Sequence, residues 1–302
     1  MNRLLFIIII SHLLLSCSSN DNRASKATIA SPKPQDSLGQ VSTVEEMSPE
    51  NHNSSMEAVF GKPKHEIQNI GILVYDGVNE LDVMGPKYIL GQAIGAQTQL
   101  ISVKGGNIKT VMGVEIVPNA VMDSISQLDI LIIPGGFTGT IEACFDEELH
   151  RWIRRIDEKT LYTASVCTGA WILGASGLLE GKKASTNWYR EEEFLKKYGA
   201  VPVNERYTKD GKYWTSAGVT AGMDMSLAIL KEIYGESYAQ AVMLDMEYDA
   251  APPLIGGSPE KTKESVYNMM LAMYDMGVQP LMDSLEIKNK TVGKKTQKDD
   301  GR

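Results

Sequence analysis

A chain of 302 residues, 43% hydrophobic and 23% charged, has room for one large core or two modest ones, and its net charge of −8 excludes the strongly basic face that nucleic-acid binding needs. Three cysteines and four histidines are too few for a disulfide scaffold, although Cys144 and Cys167 are free in principle to pair. No His/Cys pair has zinc-ligand spacing, so no metal and no other cofactor is expected.

Met1 to Ser16 carries one early basic residue, Arg3, followed by the apolar runs Leu4–Ile10 and Leu13–Leu15. It is shorter than the ~20 residues of a spanning helix and fits a secretory signal. Leu14-Leu15-Ser16-Cys17 resembles a bacterial lipobox. That likeness implies cleavage before Cys17, acylation of its thiol, and a chain held on the lipid bilayer of a bacterial cell envelope, outside the cytoplasm. Residues 18–66 are Ser, Asn, Pro, Lys and Glu without sustained periodicity, and read as a disordered tether spanning roughly 40 Å.

From Ile67 the pattern changes. Ile67–Tyr75 is a near-continuous apolar strand of the kind buried on both faces of a parallel sheet. Pro86 suits the first turn of a helix reaching about Ile94. Gln99–Val103 is the next strand, and Gly105-Gly106 and Met112-Gly113 punctuate a hairpin arm. Asp129–Pro134 (DILIIP) is another buried strand, stopped by Gly135-Gly136, and a helix over about 146–158 follows, with His150 on its polar face. Leu161–Val166 is a strand, and a small-residue helix begins near Thr168. Then come a short strand at Ala184–Thr186, a helix over 189–198, and hairpin strands at Val203–Tyr207 and Lys212–Ser216. A helix capped by Thr220 runs to Tyr234, and another covers 236–248. A Met-rich helix from Lys261 to Met276 reads as core or subunit contact, and the tail from 283 reads as disordered. Strand–helix alternation at this spacing predicts a single α/β domain over residues 67–282, built on a doubly wound parallel sheet.

Cys167 sits on the joint between strand and helix, where a side chain is exposed on a tight turn and faces helix N–H groups that favour an anion. Such a thiol ionises more easily than a free one. Its competing reading is an inert buried cysteine. A nucleophile needs a proton manager, yet no histidine follows Cys167, which leaves the acids. Asp82 lies past the first strand as Cys167 lies past a later one, so both belong to the carboxyl rim of the sheet. Two anions side by side repel, and the consistent arrangement is one shared proton, with a thiolate facing a protonated Asp82. Asp82 as a helix cap is the alternative. Gly136 offers a backbone N–H to developing negative charge, and Thr168 a hydroxyl beside the nucleophile.

Tyr75-Asp76-Gly77, Glu80-Leu81-Asp82, Gly85-Pro86, Ile133-Pro134-Gly135-Gly136 and Ser165-Val166-Cys167-Thr168-Gly169 resemble the ThiJ/PfpI superfamily. Thr186-Asn187-Trp188, Gly218-Val219-Thr220 and Glu247–Pro253 resemble its isocyanide (isonitrile) hydratase branch. The resemblance implies a flavodoxin-like domain, a homodimer, Cys167 as nucleophile with Asp82 as its acidic partner and Thr168 as helper, and a small-molecule pocket including Gly218, Val219 and Trp188. Asn187 departs from it, standing where the branch carries histidine. The activity implied is hydration of an isocyanide to an N-substituted formamide through a cysteine thioimidate. Glyoxalase- or deglycase-type covalent chemistry, and a lipid-tethered binding or sensing module without turnover, are the alternatives.

Overall fold

The computed structural model describes residues 52–299, with side chains from 56 to 289, so the signal segment, Cys17 and the first part of the tether lie outside the described residues. The tether expected through residue 66 contains a helix, α1 (His52–Phe60), before the domain begins. Met56 and Phe60 stand one turn apart on it and pack against the core, Phe60 edge-on to Tyr238 with ring centroids 5.4 Å apart.

The sheet is laid down by β1 (Asn69–Val74), β2 (Gln97–Ser102), β5 (Ala120–Val121), β6 (Ile130–Ile133), β7 (Tyr162–Val166), β10 (Tyr207–Asp210) and β11 (Tyr213–Ser216). Their order is β10-β11-β7-β6-β1-β2-β5, and every pair is parallel except the β10/β11 hairpin at one edge. In register, Ile72 lies between Leu100 and Ile132, Ile132 beside Ala164, and Val166 beside Ser216. β6 and β7 are buried at every position, which is why their sequences show no polar alternation. The edge strand β10 alternates exposed and half-buried residues, as a one-sided strand does. The expected hairpin arm is present as β3 (Ile108–Lys109) against β4 (Glu115–Ile116). A second small parallel pair joins β8 (Lys183–Ala184) to β9 (Val201–Pro202). This mostly parallel sheet flanked by helices is the flavodoxin-like α/β architecture expected from the sequence.

The helices are α2 (Glu80–Leu90), α3 (Thr138–Ala143), α4 (Glu147–Asp157), α5 (Gly169–Ala175), α6 (Glu191–Lys197), α7 (Val219–Tyr234), α8 (Glu236–Asp245) and α9 (Glu264–Asp299). Several differ from expectation. α2 opens at Glu80, because the Asn79 side chain accepts from the Leu81 and Asp82 N–H groups at 3.0 and 3.4 Å, and Pro86 falls inside it. Asp82 is therefore not the cap. α7 is entered from Gly218 rather than capped by Thr220. His150 is buried, not on a polar face, since its Nε2 meets the Ala143 carbonyl at 2.9 Å and burial lowers its pKa. α9 runs on through the stretch read as a tail; Leu285 packs on the core and Lys197 pairs with Glu286 at 2.5 Å. Its methionines 269, 270, 273 and 276 are exposed, so within one chain they are not core. Among the described residues, no helix is long and apolar enough to cross a membrane.

The chain leaves β1 for β2 on one side and later returns to β6 on the other. Strand order thus reverses between β1 and β6, and the carboxyl ends of β1, β6, β7 and β11 lie along one rim of the sheet.

Candidate active site

Cys167 occupies the joint between β7 and α5 with φ of 58°, a left-handed conformation that costs a non-glycine residue about 1–3 kcal/mol. Several contacts hold it there. Its N–H donates to the Ser216 carbonyl at 3.1 Å, and its carbonyl accepts from the Thr186 hydroxyl at 2.8 Å. Gly169 follows because α5 passes directly over β6: a Cβ there would lie 2.0 Å from the Ile133 carbonyl oxygen. The sharp turn is therefore locked from β11, from β6 and from the loop that follows β8.

The sequence predicts an exposed side chain at this turn, but Cys167 is buried, with 6% of its surface accessible. Asp82 on α2 is fully buried beside it. Its Oδ2 accepts from the Gly135 N–H at 3.1 Å, its Oδ1 has no hydrogen-bond partner, and the carboxyl and the Cys167 thiol act on one another's protonation. Burial pushes the Asp82 carboxyl up from 3.8 to about 7, with the nearby Glu80 charge adding to it. Burial, then the Asp82 charge, push the thiol well above its ordinary range. The expected acidification by helix amides is overridden: the Thr168 backbone lowers the thiol's pKa, but desolvation is the larger effect. What remains is the coupled pair. Its first proton leaves near neutrality and its second is held far above, so over a wide range one proton serves both groups.

The donor to the sulfur is Asn187, whose Nδ2 lies 3.3 Å from Sγ. Its Oδ1 accepts from the Tyr189 N–H at 3.0 Å, which fixes which end of the amide faces the thiol. The sequence marked Asn187 only as a departure from the branch pattern.

Thr168 and Gly136 are both present but in other roles than expected. The Gly136 N–H is taken up by the Thr168 hydroxyl at 3.0 Å and is not free for an oxyanion. The Thr168 proton is shared between Gly136 O at 3.1 Å and Thr140 Oγ1 at 3.3 Å, and Thr140 continues to the Tyr75 hydroxyl at 2.9 Å. This buried network ties the nucleophile turn to the Gly135-Gly136 loop, which in turn holds Asp82. Gly136 admits no side chain, since a Cβ would meet the Gly77 carbonyl oxygen at 2.2 Å.

Gly218 and Val219 are half-buried just past the end of β11, on the rim that carries Cys167. Trp188 is half-buried against Tyr274 and Tyr267 of α9, with ring centroids 5.1 and 5.7 Å away. Tyr274 also meets Phe137 edge-on at 5.5 Å, and its hydroxyl is raised by burial and then by the Cys167 and Asp82 charges. It is a site residue that the sequence did not reveal, supplied by a distant helix with no motif of its own. Cys144 is a separate free thiol, buried and pushed up to about 12. Among the described residues, no group of three or more His, Cys, Asp and Glu side chains forms a metal site.

Comparison with known proteins converges on the same region. Residues 68–232 match the DJ-1/PfpI family. The chain is 36% identical over 197 residues to the isonitrile hydratase of Pseudomonas putida, an alignment covering 65% of this chain and 86% of that protein. It is 26% identical over 144 residues to the transcriptional regulator CdhR of Pseudomonas aeruginosa, covering 47% of this chain and 42% of the regulator. The crystal structure of a ThiJ/PfpI family protein from Pseudomonas syringae superposes with a TM-score of 0.71 at 30% identity, covering 81% of this chain and 98% of that one.

Proposed function

The chain belongs to the DJ-1/PfpI family, and from that premise we propose that it is a cysteine-dependent isocyanide hydratase. The observation that carries the reading is the buried Asp82–Cys167 pair, each group acting on the other's protonation, on a chain 36% identical to an isonitrile hydratase. An isocyanide carbon accepts both a nucleophile and a proton, and this pair holds one of each. The Cys167 thiolate forms the S–C bond while Asp82 delivers its proton to the same carbon, giving a thioimidate. Water then adds across the C=N bond. Collapse of the resulting adduct expels the thiolate and releases the N-substituted formamide, and Asp82 regains the proton from the added water. The sum is isocyanide plus water to formamide, with no cofactor. Asp82 at about 7 is poised to give and retake a proton near neutrality.

We propose in addition that Cys17, in the lipobox-like Leu14-Leu15-Ser16-Cys17, is acylated and holds the protein in the cell envelope, and that two copies associate. Exposed Leu81, Met84 and Tyr88 on α2, with Met269, Met273 and Met276 on α9, offer the apolar surface for such a contact.

The test is turnover of a small alkyl isocyanide by the purified chain, followed by NMR of the formamide product. Wild type forms the formamide and Cys167→Ala does not. Equal rates in the two, or turnover of methylglyoxal but not of the isocyanide, overturns the proposal.

A further inference from the structure

The single proton held between Asp82 and Cys167 has two possible homes, and only one of them leaves a nucleophile. If it rests on sulfur, the pair is a thiol and a carboxylate. If it rests on the carboxyl, the pair is a thiolate and an acid. Which form prevails depends on the donors aimed at each partner. The carboxyl receives one fixed N–H, from Gly135 at 3.1 Å, and its Oδ1 has no other donor. The sulfur receives the Asn187 Nδ2 at 3.3 Å, and the Thr168 backbone also favours its anion. The Thr168 contribution is part of the turn itself. The Asn187 amide is a side chain, held in orientation by the Tyr189 N–H at 3.0 Å and buried. We propose that Asn187 is a catalytic residue that fixes the shared proton on Asp82 by donating to the Cys167 sulfur. The inference rests on the reading of Cys167 as the nucleophile.

An amide neither gains nor loses a proton in the working range, so its donation to sulfur does not vary with pH. The other titratable groups around the pair are Tyr75 at the end of β1, Tyr274 on α9 and Glu80 beside Asp82. Both phenols are raised and stay neutral. Glu80 acts on the carboxyl rather than on the sulfur. The same donor assists the last chemical step, because the thiolate leaving the tetrahedral adduct regains its hydrogen bond from Asn187.

The experiment follows the thiolate itself, by absorbance at ~240 nm and by the rate of Cys167 alkylation with iodoacetamide, read at the Cys167 peptide by mass spectrometry. Full-length wild type is compared with Asn187→Leu, Asn187→Asp and Asn187→His from about pH 5 to about pH 10. Asn187→Leu removes the donor and lowers the thiolate signal and alkylation rate near pH 7.5 about tenfold, since hydrogen bonds to charged groups are the strong ones. Asn187→Asp keeps an acceptor for the Tyr189 N–H, so the turn is preserved, and it lowers the signal further. Asn187→His supplies a donor that titrates in the imidazole range of ~6.5 and restores part of the signal that Asn187→Leu loses. Leu and Asp variants with the wild-type thiolate profile overturn the proposal, and either one alone decides if the other fails to fold. Isocyanide turnover is measured in parallel. A wild type with no turnover but a profile that shifts in Asn187→Leu removes the hydratase reading and leaves the role of Asn187 standing.

Discussion

Asp82 and Cys167, on separate elements of the chain, act on one another's protonation at the point where the sheet reverses its strand order, and Asp82 has no solvent-accessible surface. Replacing Asp82 by Asn keeps the shape and the contact but removes the transferable proton. The expected loss in kcat/KM for isocyanide hydration is about 10²–10⁴-fold, the range of general acid–base contributions. Steady-state kinetics on Asp82→Asn checks this, and a variant within a few-fold of wild type shows that the proton comes from elsewhere.

The same burial gives stability a pH dependence of definite sign. The Asp82 carboxyl is raised from 3.8 to about 7 in the folded chain. Between those values the folded state keeps a proton that the unfolded state has released, so stability falls as pH rises. The contribution is whole below about pH 4 and gone above about pH 7, and a shift of about three units is worth roughly 4 kcal/mol. The pair's second proton, held far above neutrality, continues the decline above the unfolded thiol value of about 8.5. Asp82→Asn cannot titrate, so its melting temperature relative to wild type climbs between about pH 4 and about pH 7.5. Parallel curves for the two proteins would rule out a raised carboxyl.

Local pattern revealed the parts of this site that local physics determines. The unbroken apolar run of DILIIP announced a doubly covered strand, the small residues after Cys167 announced the turn, and Asp82 and Cys167 fell on one rim once the strands were counted. What failed was everything set by a distant partner. Cys167 looked exposed because its own turn exposes it, whereas its burial comes from α2 and the neighbouring loops. The Gly136 N–H looked free because the hydroxyl that occupies it belongs to Thr168, on another strand–helix joint. His150 looked polar because the carbonyl that satisfies it lies at the end of the preceding helix.

α1 is the clearest such case, for two apolar residues in a polar stretch carry no signal until the surface they meet is known. Phe60 lies edge-on to Tyr238, whose hydroxyl bonds to the Gln92 carbonyl. Phe60→Ala removes an aromatic contact worth ~0.5–1.5 kcal/mol together with the area it covers. A total loss of about 1–3 kcal/mol is expected by urea unfolding, with kcat and KM unchanged because the contact is remote from Cys167. An unaltered unfolding midpoint would mean that α1 adds nothing to the domain.

Thr168 separates positioning from chemistry. The residue is 3% exposed, and its hydroxyl accepts the Gly136 N–H at 3.0 Å while sharing its proton with Gly136 O and Thr140. Thr168→Val has nearly the same shape but leaves the Gly136 N–H and Thr140 without that partner, which costs about 1–3 kcal/mol of stability. The Gly135-Gly136 loop then loosens, and with it the Gly135 N–H that orients Asp82 at 3.1 Å. The expected result is a fall in kcat of about tenfold with KM little changed, since each 1.36 kcal/mol lost in the transition state is one decade. Thr168→Ser restores the hydroxyl and recovers most of both losses. A valine variant with wild-type melting temperature and kcat would remove Thr168 from the network that holds Asp82 in place.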